Sequence, residues 1–157
     1  MKRIFLLAAL AAPCLPALAG TELSCPDLAA LVQVNACPTE EELKTTYVGY
    51  CSDDAMAYGN KTDSCIAYAD YRKMKNLALW ESADGKFNGY LSCDQPPAQW
   101  RALKPAGIKL AMQGKIAKVI CAYPQGINLT YRTRETCAVA DAKACAADVA
   151  ACRATCD

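Results

Sequence analysis

Ten cysteines follow an amino-terminal stretch built like an export signal, and that combination constrains the fold more than any other feature: Cys25, Cys37, Cys51, Cys65, Cys93, Cys121, Cys137, Cys145, Cys152 and Cys156. Lys2 and Arg3 precede a short apolar run over residues 4–12, and Ala17-Leu18-Ala19 closes it with small residues. Charge, apolar run and small-residue exit, in that order, predict a secretory signal at 1–19 that is cleaved after Ala19. The run is shorter than the roughly 20 residues a membrane helix needs, so stable membrane insertion is not expected. A lipid on Cys14, the eleventh cysteine, would want a small residue before it, and Pro13 stands there. Export delivers the chain to the periplasm or beyond it, where an even number of cysteines pairs. The expectation is a single disulfide-rich domain over 20–157. Sequence alone leaves the pairing open among on the order of a thousand combinations.

Local patterning predicts an α+β fold with N-terminal helices, an antiparallel sheet of four to five strands and a disulfide-tethered C-terminal helix. Pro26 and Asp27 suit a short helix start, with Leu28, Leu31 and Val32 at helical spacing behind them. Thr39-Glu40-Glu41-Glu42 has the form of a capping box, so a second helix runs from there to about Cys51. Residues 53–63 read as a loop or broken helix, and a third helix follows Asp63 or Ser64 to about Lys75. The period then changes. Residues 77–80 and 87–93 flank Ala83-Asp84-Gly85, a hairpin signal. Trp100 to Leu103 suit one helical turn. Three further strands follow, and in the last of them Ile127, Leu129, Tyr131 and Thr133 alternate with Asn128, Thr130, Arg132 and Arg134. The tail from Val139 is Ala-rich and helix-prone. On a continuous helix Cys145, Cys152 and Cys156 would share one stripe with Cys137, stapling the helix to other parts of the protein.

Several chemistries are excluded by what the chain lacks. It has no histidine, which removes Ser-His and Cys-His catalysis and histidine metal ligation. It has no Cys-x-x-Cys pair for zinc or redox work and no glycine-rich phosphate loop, so neither metal nor cofactor is expected. Asp53-Asp54 and Glu40, Glu41 and Glu42 are carboxylates that glycoside chemistry could use, but a polar loop and a helix start account for them more simply. Asn60-Lys61-Thr62 and Asn128-Leu129-Thr130 are glycosylation sequons, expected to be incidental because the short export signal has the look of a bacterial one.

The formal net charge of +1 hides a division. Residues 20–70 carry nine acids against two lysines, whereas residues 71–134 carry eleven Lys or Arg against three acids. Either the halves neutralise each other locally or the basic middle faces an acidic partner. Nucleic acid fits poorly with export and a near-neutral whole. Trp80, Tyr123 and Tyr131 read as core. Trp100, Arg101, Arg132 and Arg134 are the candidate partner-binding residues, since Trp and Arg dominate interface hot spots.

Tyr90-Leu91-Ser92-Cys93, Trp100, Cys121-x-Tyr123, Gly126, Leu129 and Cys137-x-Val139 together resemble a group of small exported proteins of Gram-negative bacteria. In size, export and cystine content the chain is similar to periplasmic lysozyme inhibitors and toxin-immunity proteins, although the Ser-Gly-x-x-Tyr motif of one inhibitor family is absent. The resemblance implies an antiparallel sheet ending in a Cys-x-Tyr strand, a Leu-bearing strand after it and a closing cysteine. The leading functional expectation is a non-enzymatic protein that binds another protein, such as a cell-wall hydrolase or toxin. The alternatives are a cell-envelope accessory protein and, more remotely, a secreted hydrolase using carboxylates.

Overall fold

A computed structural model describes residues 20–59, 63–139 and 142–157. The export segment and the Asn60-Lys61-Thr62 sequon lie outside those residues. The alternating segment at 127–134 forms strand β7 (Asn128–Thr133) in the interior of a six-stranded sheet. Its neighbours are β6 (Ile116–Ala122) on one side and β4 (Asn88–Ser92) on the other. β5 (Gly107–Gln113) continues past β6, while β3 (Leu77–Glu81) and the two-residue β2 (Val32–Gln33) continue past β4. The order is β2-β3-β4-β7-β6-β5, with every pairing antiparallel. Period-2 alternation gives the sheet a buried face carrying Ala78, Trp80, Leu91, Ile108, Val119, Cys121 and Leu129. Each fully buried aliphatic side chain of this kind contributes about 1.5–3 kcal/mol.

The β3–β4 hairpin forms where the Asp-Gly signal lies. Gly85 has φ of +71°, a conformation other residues rarely adopt. Ser82 closes the turn by accepting from Phe87 N at 2.9 Å and donating to Asp84 Oδ1 at 2.6 Å. Where β4 meets β7, Asn88 lies opposite Thr130. Gly89 beside it is a packing requirement: a Cβ there would run into the Asn128 carbonyl and stand 2.9 Å from Leu129 Cδ2.

A second, three-stranded sheet lies against the first. It orders β1 (Thr21–Ser24), β9 (Arg153–Cys156) and β8 (Cys137–Val139) as β1-β9-β8. Leu23, Ala154, Cys137 and Cys156 enter the same buried cluster as the inner face of the large sheet. The tail is therefore not the single stapled helix that its alanine content suggests. It contains one short helix, α4 (Ala142–Ala147), a 3-10 turn over Val149–Ala151 and then β9. Covalent geometry overrides propensity here. Cys145 and Cys152 are bridged with Cα atoms 4.5 Å apart, whereas seven residues of continuous helix would separate them by about 10 Å. Cys137 and Cys156 lie opposite each other in the β8–β9 register and are bridged too, so the chain must double back.

The amino-terminal segment is also less helical than expected. Asp27 caps a single 3-10 turn over Leu28–Ala30 by accepting from Ala29 N at 3.1 Å, and Val32–Gln33 then pair with β3. The remaining helices form an insertion between β2 and β3. α1 (Glu40–Cys51) starts on a complete capping box, with Thr39 and Glu42 bonded reciprocally. α2 (Asp54–Gly59) is short, and α3 (Tyr68–Lys75) starts a few residues later than its pattern suggests, after a turn that contains Cys65, which is bridged to Cys51. Leu43 and Tyr71 are buried between α1 and α3, with Tyr47, Tyr50 and Tyr68 stacked around them. The insertion is tied to the sheet by Cys37–Cys93 and by Asp94, which accepts from Arg72 and Asn76.

Five disulfides fit a chain that folds in an oxidising compartment outside the cytoplasm. No helix among the described residues is long and apolar enough to cross a membrane.

Two outcomes follow from this packing. Gly89→Ala should lower stability by about 1–3 kcal/mol, read as a reduced Tm in thermal melts, because backbone of β7 blocks the added methyl. The second concerns Arg72, which joins Glu40 and Asp94. The hydrogen bond from Tyr68 and then that from Arg72 lower the pKa of Glu40, and Arg72 lowers that of Asp94. Lowered carboxylate pKa values stabilise the fold at neutral pH, and that contribution disappears as pH falls through them. Arg72→Gln should therefore reduce Tm at pH 7, and the difference from wild type should shrink below about pH 4. A constant difference from pH 7 to pH 2 would contradict the network.

Candidate functional site

The outer face of the six-stranded sheet gathers cations that are far apart in sequence. Lys109 on β5 pairs with Ile120 on β6, which pairs with Thr130 on β7; one step along, Lys118 lies directly opposite Arg132. Arg134, one residue beyond β7, continues the same alternation and is exposed. Lys109, Lys118, Arg132 and Arg134 thus share one surface. Among the described residues none of them has a carboxylate within the 4.0 Å that defines an ion pair. The recorded polar partner of Arg132 is neutral: its Nη1 donates to Asn88 Oδ1 at 2.8 Å. Apolar groups interleave with the cations, with Ile116 exposed on β6 and Tyr90 on β4 67 % exposed.

Like charges directly opposite each other on neighbouring strands are unfavourable. Several bases elsewhere in the chain are neutralised close by, though Lys75, for one, has no carboxylate partner among the described residues. Arg72 pairs with Glu40 and Asp94, Lys104 with Asp27 at 3.7 Å, and Arg153 with Glu22. Local neutralisation therefore accounts for part of the charge division read from sequence and leaves the sheet face out.

The structure separates the four residues singled out from sequence. Arg132 and Arg134 belong to the cationic face. Trp100 does not: it is 1 % exposed, packed edge-to-face on Trp80 with centroids 5.0 Å apart, and its Nε1 donates to Gln95 O. A side chain enclosed in this way is core, which corrects its assignment as a contact residue. Arg101 lies over both tryptophan rings, 5.6 and 5.7 Å from their centroids, and donates to Ala29 O at 3.0 Å. It clamps the amino-terminal segment onto the tryptophan pair. Lys109 and Lys118 were missed, because each stands on a different strand and only the β5-β6-β7 register brings them beside Arg132. The signal was present in the alternation of β6, where Ala117, Val119 and Cys121 are buried and the residues between them are not.

Three of the carboxylates weighed from sequence have local structural tasks. Glu42 is held in the capping box, Glu40 bonds Tyr68 and Arg72, and Asp53 accepts from Ala55 N and Met56 N at the start of α2. No cluster of three or more Cys, Asp or Glu suited to a metal ion occurs among the described residues.

Removing one member of the opposed pair should relieve repulsion. Lys118→Thr is expected to raise stability by about 0.5 kcal/mol at low ionic strength, with the gain fading in high salt, as denaturant unfolding at two salt concentrations would measure. No protein-family model matches this chain, and neither a curated protein nor a solved structure matches it.

Proposed function

We propose that this protein is an exported, non-enzymatic binding protein that docks an acidic surface of another protein onto the outer face of its six-stranded sheet. The observation that carries the reading is the set of four cations that have no carboxylate partner among the described residues, two of them directly opposed across β6 and β7. Such an arrangement is unfavourable in the free protein and is relieved when a negative surface covers it. Interleaved Tyr90, Ile116 and Ile120 supply the apolar contact that charged rims lack. Two sheets joined by the Cys25–Cys121 disulfide keep the face rigid, which reduces the ordering cost of binding. Among exported proteins of this size, an inhibitor or immunity protein acting on a cell-wall-degrading enzyme or toxin fits this design.

The reading is tested by capture from periplasmic extract with the oxidised protein as bait. Wild type should retain a stoichiometric protein at low salt and release it as salt rises. Arg132→Glu with Arg134→Glu should weaken retention at least tenfold while leaving the thermal melt intact. Equal retention by the doubly reversed variant, or no stoichiometric partner for wild type, would overturn the proposal.

A further inference from the structure

A second surface feature shares no lining residue with the cationic face. Where the helical insertion meets the end of β3, a cleft of about 790 Å³ opens, within the size range of small-molecule sites. Its floor is apolar: Leu43 and Tyr71 from the insertion, only 3 % and 2 % exposed, with Pro38 and Leu77 beside them. One wall ends at Cys37, fixed to Cys93 by a disulfide, so the cleft is braced on the sheet side.

The polar groups around it differ in how they are used. Glu42 is engaged by Thr39 N at 2.7 Å and Thr39 Oγ1 at 3.0 Å. Asn35 accepts from Leu79 N and donates to Ala36 O, and Thr46 donates to the Glu42 carbonyl. Lys75 is the exception. Its Nζ stands 5.2 Å from the centroid of the Tyr50 ring, and among the described residues no carboxylate lies within 4.0 Å of it. The contact with the ring leaves the ammonium positively charged beside apolar side chains, where an anion can pair with it. Sugar recognition is less well served. An open aromatic platform is needed for it, and here Tyr71 is buried and Tyr50 carries Lys75 over its ring.

We propose that this cleft is a binding site for a small amphiphilic carboxylate, whose apolar chain lies against the half-buried Pro38 and Leu77 and whose headgroup meets Lys75. The site is independent of the sheet face, so either reading can fail without the other.

The test is calorimetric titration of the oxidised protein with dodecanoate below its micellar concentration, with dodecylammonium as the opposite-charge control. Saturable one-to-one binding of dodecanoate is expected, with dodecylammonium at least tenfold weaker. Lys75→Gln should weaken dodecanoate at least tenfold and Lys75→Arg should restore it. Thr46→Phe, on an exposed helix position at the rim, should block the cleft while leaving the thermal melt unchanged. Arg132→Glu with Arg134→Glu should leave the affinity as in wild type. The proposal is overturned by absent or unsaturable binding, by equal affinity for the two detergents, by an unaffected Lys75→Gln, or by loss of binding in the sheet-face variant.

Discussion

Cys121 sits near the end of β6 with none of its surface in water, and its disulfide partner Cys25 follows β1 directly, 96 residues earlier. That single bond joins the two sheets. It closes the longest loop of the five, and in the chain-entropy view a loop of about this length is worth about 4–5 kcal/mol through restriction of the unfolded chain. Much of the nearby structure depends on where it holds the amino-terminal segment. Cys25 N donates to Cys152 O at 3.1 Å, and the Tyr123 hydroxyl reaches Pro26 O. Leu28 and Leu31 are then buried in the shared core, and Arg101 holds Ala29 from outside. Burial also raises the pKa of the Tyr123 phenol, so it remains a donor at any pH the folded protein meets.

Charge is distributed on a different principle from apolar area. In the helical insertion acids are spent on local structure: Glu42 closes a capping box, Asp53 opens α2, and Glu40 holds α3 through Tyr68 and Arg72. On the sheet, four bases share one face with no carboxylate partner among the described residues. Ion pairs at half-exposed positions such as Arg72 contribute little to stability individually, so the contrast lies less in energy than in availability. Lys118 opposite Arg132 is the informative case, because a neutral residue at either position would suit the sheet better.

Sequence reasoning read the locally determined parts well and the covalently determined parts poorly. α1 was visible because Thr39 and Glu42 satisfy each other within four residues, and the β3–β4 hairpin was visible because Asp84-Gly85 sets its turn. β7 was visible because its two faces differ in polarity. The tail was not legible. Its alanines favour helix residue by residue, and only the pairings Cys145–Cys152 and Cys137–Cys156 reveal that the chain reverses there. β2 is two residues long and exists through pairing with β3, so no window of sequence could disclose it. For the candidate site, Arg132 and Arg134 came from one strand's alternation, but Lys109 and Lys118 required the register of three strands. Trp100 was misplaced because a tryptophan followed by an arginine looks alike whether it faces a partner or, as here, another tryptophan.

The helical insertion leaves and rejoins the sheet through a narrow neck: Val34 N bonds Leu79 O, and Gln33 lies opposite Trp80. In topological terms β2 and β3 are a hairpin whose loop happens to contain three helices. Closing such a loop costs an amount that grows only with the logarithm of its length, so the sheet is nearly indifferent to how much chain is threaded through the neck. With its own buried residues and its own disulfide, Cys51–Cys65, the insertion behaves as a cassette. A change of length within the insertion would therefore cost the two-sheet frame little at the neck, so long as Cys37 still reaches Cys93.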